Sequence, residues 1–126
     1  MSSAAGHPLS HDREHRLNSL GYQLPEAPPP AAIYLPFMRT GDQLWVAGQI
    51  ALKGGALIAS GRVGAEVNIE TASLCAQQCA LNLLAQVKAS TGSIDQIVRV
   101  VKLNVFVASS ADFTSQHLVA NGASEL

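Results

Sequence analysis

His11 and His15, and Cys75 and Cys79, are the side chains whose type and spacing could do chemistry on their own. Each pair is four residues apart, which on a helix sets both members on one face, with Cα atoms roughly 6 Å apart. Histidine or thiolate pairs at that separation can share a metal, but a closed site needs further ligands. No third ligand stands near either pair in the sequence, so the histidines read as a solvated face. The cysteines read as small apolar side chains in a core stripe. His117 has no base or carboxylate partner at a useful spacing and reads as a surface residue.

These side chains must be positioned by a long helix and the apolar run that follows it. Asn68 is an N-cap type whose side chain can accept from an orphan N–H, and Glu70 follows in the first turn, where the helix dipole favours negative charge. Ala72, Ala76, Cys79, Ala80, Leu83 and Val87 keep the i, i+3/i+4 rule and form one stripe. Leu74, Leu81 and Ala85 form a weaker second stripe, so the helix is expected to be covered on two sides. Gln77, Gln78, Asn82 and Gln86 lie off the main stripe. Gly92 is placed to close the helix. Ile97 to Val107 then alternates as a strand: Val101, Leu103, Val105 and Val107 make an aliphatic face, and Val100, Lys102, Asn104 and Phe106 a mixed one. The mixed face calls for water or a partner.

Before the helix, Ser10 can cap a short helix over His11 to Leu20, and Pro25 to Pro30 forms an extended linker. Ile33 to Arg39 reads as a strand interrupted by Pro36, Thr40-Gly41-Asp42 as a hairpin turn, and Gln43 to Ala51 as a second strand. Gly48 inside that strand marks a close approach to the backbone. Lys53-Gly54-Gly55 turns the chain into a short third strand, Leu57 to Ser60. After Val107 a turn is expected at Ala111-Asp112-Phe113. Asn121-Gly122 reads either as a break or as the start of a further helix.

With 126 residues the chain is long enough for one core, and 48% hydrophobic against 13% charged residues fits a globular domain with apolar surface left for a subunit interface. A net charge of −1 without a Lys/Arg cluster argues against binding to phosphate backbones, hence no nucleic-acid partner. No apolar run is long enough for a membrane span, and the polar His7 to Arg16 stretch is unlike a signal peptide. A cytoplasmic location is expected.

Tyr34, the run Thr40-Gly41-Asp42-Gln43-Leu44-Trp45-Val46-Ala47-Gly48-Gln49, the long helix, and Val100 to Val107 followed by Ala111-Asp112-Phe113 together resemble the RidA/YjgF family, also labelled endoribonuclease L-PSP. The resemblance runs from about Arg16 to Leu126 and is to a longer subgroup. It implies an α+β, chorismate-mutase-like fold: a mixed β-sheet packed on helices, in the order β-β-β-α-β with a final α-β unit truncated, forming a homotrimer. Residues 1–30 would be an N-terminal extension with a short helix and proline-rich linker, and 31–126 the family domain, incomplete at its C-terminus.

The implied activity is hydrolysis of reactive enamines and 2-imino acids to keto acids and ammonia, in clefts between subunits, with no metal or organic cofactor. The implied partner is a carboxylate-bearing imine or keto acid. Tyr34 matches the family's pocket tyrosine, Gly48 the glycine whose backbone lines the pocket, and Asn121 a pocket asparagine. The bland readings are a half-buried strand aromatic for Tyr34, sheet packing for Gly48 and a plain cap or turn for Asn121. Ala47 stands where many active members carry serine. The family's carboxylate-binding arginine and its glutamate have no counterpart, and Arg39, Arg62 and Arg99 are not candidates for the missing cation, so the catalytic residues stay unknown. A metabolite-binding trimer without turnover is the alternative, and a ribonuclease is the least supported.

Overall fold

The computed structural model describes residues 12–126. The expected cap at Ser10, and His11 of the histidine pair, lie outside them.

The central element is α2, Ile69–Thr91, and it forms as its end signals dictate. Asn68 Oδ1 accepts from the Thr71 N–H at 2.8 Å, Glu70 lies in the first turn and Lys88 in the last. Gly92 closes the helix at φ +88°, a left-handed conformation that costs glycine nothing, and donates its N–H to the Lys88 carbonyl.

Both expected sides of α2 are covered. Ala72, Ala76 and Ala80 pack with Val63, Val67 and with Val119 and Ala123 of α3, Gln116–Ser124. On the other side Leu81 joins Leu17 of α1, Arg13–Ser19, and Ile94 of a single 3₁₀ turn, Ile94–Gln96. Leu74 of the second stripe stays exposed. No side chain of its own caps α1; Asp95 does so from the 3₁₀ turn, accepting from the Arg13 N–H at 2.8 Å and the Glu14 N–H at 3.3 Å. A Lys88–Glu14 ion pair at 2.8 Å adds a tie to α2.

The strands are shorter than the alternation predicts. β1, Phe37–Thr40, starts directly after Pro36, and β2, Gln43–Val46, pairs with it antiparallel through the expected Gly41-Asp42 turn. β3, Leu52–Lys53, and β4, Ala56–Leu57, form a second hairpin through Gly54 and Gly55, whose φ values of +62° and +83° suit a tight two-residue turn. The expected second strand over Gln43 to Ala51 thus stops at Val46, residues 47–51 form no strand, and the third lies at 56–57, not 57–60.

The predicted strand from Ile97 to Val107 does not form. A strand exists only as part of a ladder, and among the described residues nothing pairs along this run. Only its ends are tied down. Ile97 packs beside Ile94, and the Val98 carbonyl accepts from the Arg13 guanidinium at 3.4 Å. Just past Val107, Val63 donates to the Ala108 carbonyl and accepts from the Ser110 N–H. Its aliphatic face does not pack on the helix as expected: Val101 is 77% exposed, and cover improves only toward Val107, which joins the α2–α3 core. The mixed sheet is therefore present as two separate hairpins. A further helix does form, but it starts at Gln116 and not at Asn121: Asn121 and Gly122 lie inside α3 and neither breaks nor starts it.

Candidate functional site

A crevice of about 40 Å³ lies where the proline-rich segment crosses the start of the hairpins, beside Tyr34, Gly48 and Gln86. Its geometry follows from local chemistry. Prolines at 28, 29 and 30 have no N–H and a fixed φ, so the segment cannot join a ladder and runs extended as a strap. Ala31 to Tyr34 then bends, and Tyr34 turns back so that its hydroxyl accepts the Ala31 N–H at 3.4 Å. On the opposite side β2 ends at Val46. Ala47 donates to the Pro36 carbonyl, and the chain from Gly48 to Leu52 leaves the hairpin as the second wall.

From α2 the crevice is lined by Gln86, the last of a polar row that hydrophobic periodicity does not reveal. Gln78, Asn82 and Gln86 are buried, the last two at 1% and 2% exposure. Gln78 Nε2 donates to Asn82 Oδ1 at 3.0 Å. Asn82 Nδ2 donates to the Ile50 and Leu52 carbonyls at 3.0 and 3.1 Å, and Gln86 Nε2 to the Pro28 carbonyl at 2.7 Å. The available signal was the spacing itself. Three carboxamides four residues apart form a polar row on a helix, and such a row is stable inside a protein when irregular backbone supplies acceptors.

The structure brings Tyr34 and Gly48 to the same crevice. It does not bring Asn121 there: Asn121 is exposed on α3 and absent from the lining. The close approach expected at Gly48 is also not found, since a Cβ built there meets nothing within 4 Å. Gly48 contributes open backbone to the crevice wall.

No charged side chain lines the crevice; its polar side chains are those of Tyr34, Gln49 and Gln86. Arg39 and Arg62 face Asp42 and Glu66, each at 3.8 Å. His117 lines a separate, open groove between Val105–Ala108 and α3. Cys75 and Cys79 are half-buried free thiols. Burial pushes both above the ordinary thiol range, and for Cys79 the neighbouring Cys75 adds to the rise, so both are held as neutral thiols at pH 7. Among the described residues no group of three His, Cys, Asp or Glu could hold a metal, and no helix is long and apolar enough to cross a membrane.

The arrangement resembles known proteins along most of its length. The chain is 43% identical over 110 residues to Protein TCP17 of Trypanosoma cruzi, covering 87% of this chain and 69% of that one. The crystal structure of the protein Atu1372 from Agrobacterium tumefaciens superposes with a TM-score of 0.81 at 44% identity, over 93% of this chain and 71% of that one. A "putative endoribonuclease" from Shewanella oneidensis gives a TM-score of 0.81 at 27% identity, over 89% and 74%. The family model described as "YjgF/chorismate mutase-like, putative endoribonuclease" matches residues 14–126. The chain belongs to the YjgF/chorismate mutase-like family.

Proposed function

We propose that this protein binds small carboxylate-bearing imines or enamines, or the corresponding keto acids, and hydrolyses the imines. The observation that supports this reading is the convergence of Tyr34 and Gly48 on one crevice within a chain of this family. In the reaction, water adds to the imine carbon and the carbinolamine expels ammonia, leaving the keto acid. Neither step changes oxidation state, so the chemistry calls for positioned donors and a positioned water, without a metal or organic cofactor. The Tyr34 hydroxyl is the donor of the crevice best suited to orient a substrate oxygen or that water. Three copies of the chain would complete the cleft, with Asn121 delivered from α3 at a subunit boundary.

A trimeric metabolite-binding protein without turnover is the second reading. It is favoured by Ala47 in place of a hydroxyl-bearing residue and by the uncharged lining, which leaves a carboxylate to neutral donors. The ribonuclease suggested by the Shewanella protein's name gains nothing from the charge pattern, a net −1 with no basic cluster.

An amino-acid oxidase that generates 2-imino acids in the presence of semicarbazide tests the proposal. Loss of trapped semicarbazone on adding this protein, and its return with Tyr34→Ala in a folded variant, is the expected result. No acceleration with the imines of several amino acids, together with saturable binding of 2-ketobutyrate, would establish the binding protein instead.

A further inference from the structure

Two walls of the crevice are fastened to one face of α2 by carboxamides: Asn82 holds the Ile50 and Leu52 carbonyls, and Gln86 holds Pro28. A backbone carbonyl only accepts, so the nitrogen end of each side chain must face it, and the amide orientations are fixed. The two bonds differ in what they hold. The 50–52 wall runs directly into the β3–β4 hairpin and keeps its shape through those pairings. Among the described residues, the strap Pro25–Pro30 receives one hydrogen bond, the 2.7 Å contact from Gln86. Two residues beyond Pro29, Ala31 donates to the Tyr34 hydroxyl. A short path therefore leads from the α2 face through Pro28 and Ala31 to the phenol of the crevice.

We infer that Gln86 is a positioning residue for Tyr34: it anchors the Pro28–Ala31 strap on α2, and the strap sets where the Tyr34 phenol points. The inference rests on the reading of the crevice as an imine or keto-acid site. It goes beyond that reading by assigning a role to a residue on the helix that holds no reacting group. Gln86 also lines the crevice, so the anchor and the phenol meet the same small volume. A glutamine kept merely to satisfy a buried carbonyl would stabilise the fold without influencing Tyr34, and this is what a test must separate.

The chain has two tyrosines, Tyr22 and Tyr34, so labelling with 3-fluorotyrosine yields two fluorine resonances, assigned with Tyr34→Phe. Gln86→Met keeps length and volume and removes the donor. The Tyr34 resonance is expected to move or broaden, while that of Tyr22, packed beside Leu17 and Leu81, stays in place. Ala76→Gly, on the α3 side of the same helix, weakens the fold without touching the strap and is expected to leave both signals unchanged. In the imine assay Gln86→Met should lower kcat/KM about tenfold, and add little when combined with Tyr34→Phe, since residues that act as a unit are not additive.

Pro28→Gly loosens the strap and leaves the helix intact, and it should disturb the same resonance even if Gln86→Met fails to fold. An undisturbed Tyr34 signal in either folded variant overturns the inference. A displaced signal in a protein that hydrolyses no imine and binds no keto acid supports the positioning role and removes the functional reading alone.

Discussion

Asn82, itself 1% exposed, bridges the Ile50 and Leu52 carbonyls with one nitrogen while its oxygen accepts from Gln78. Replacing it by leucine preserves the size, orphans the buried Gln78 donor and takes a donor from the Leu52 carbonyl, while the Ile50 carbonyl keeps the Leu52 N–H. Each such group left without a partner costs about 1–3 kcal/mol. Asn82→Leu is therefore expected to lower the free energy of unfolding by at least one such increment in urea titrations. Leu74→Ala, 54% exposed on the same helix, should change it little. An unchanged midpoint for Asn82→Leu would mean that the carboxamide row is dispensable. The row was hidden in the sequence for a physical reason. Periodicity reports where apolar side chains recur, whereas burial of a carboxamide depends on acceptors brought from elsewhere, here Pro28 and Ile50–Leu52. Tyr34 and Gly48 are singled out in the sequence only by the motif around them, and both line the crevice. Asn121 was legible as a residue type, but its distance from the crevice is a matter of how α3 packs.

At the scale of elements, α2 could be read almost to the residue because its signals are local: a capping asparagine, an acid in the first turn, a glycine at the stop. The element after it could not. Ile97 to Val107 has the side chains of a strand, yet strand formation depends on a neighbour, and side-chain preference supplies none. At α3 the local signals mislead in the other direction: Asn121 and Gly122 are poor helix formers and suggest a break or a start, not a helix interior. Packing overrides that preference. Gly122 lies against α2, and a Cβ there would collide with the Ser73 carbonyl oxygen and stand 2.7 Å from Ser73 Oγ. The missing side chain is what lets the two helices approach, so alanine, the better helix former, is the worse residue. Gly122→Ala is expected to destabilise the fold by about 1–3 kcal/mol, the range for overpacking, seen as a lower Tm by circular dichroism. A raised Tm would show that propensity outweighs contact at this position.

For the whole molecule, the unpaired run sets the strongest demand. Val98, Val100, Val101 and Phe106 are 69–92% exposed, on both faces of a segment whose backbone has no ladder among the described residues. Bare apolar side chains beside open N–H and C=O groups invite pairing with another chain, and a protein that left them so would aggregate. The homotrimer proposed for this chain answers the demand, because a neighbouring subunit can cover the mixed face. Multi-angle light scattering at micromolar concentration should then give three times the 13.2 kDa chain mass. Phe106→Asp, at the one aromatic of the run, would bury a charge at each interface and should shift the protein toward monomer. The same substitution leaves Tyr34, Gln86 and the strap untouched, so 2-ketobutyrate binding separates two outcomes. Binding lost together with the trimer places the ligand site at the subunit boundary, and binding retained by the monomer confines it to the single-chain crevice. A wild-type protein that stays monomeric would refute the trimer outright, and the covering of residues 97–107 would then have to come from a different partner.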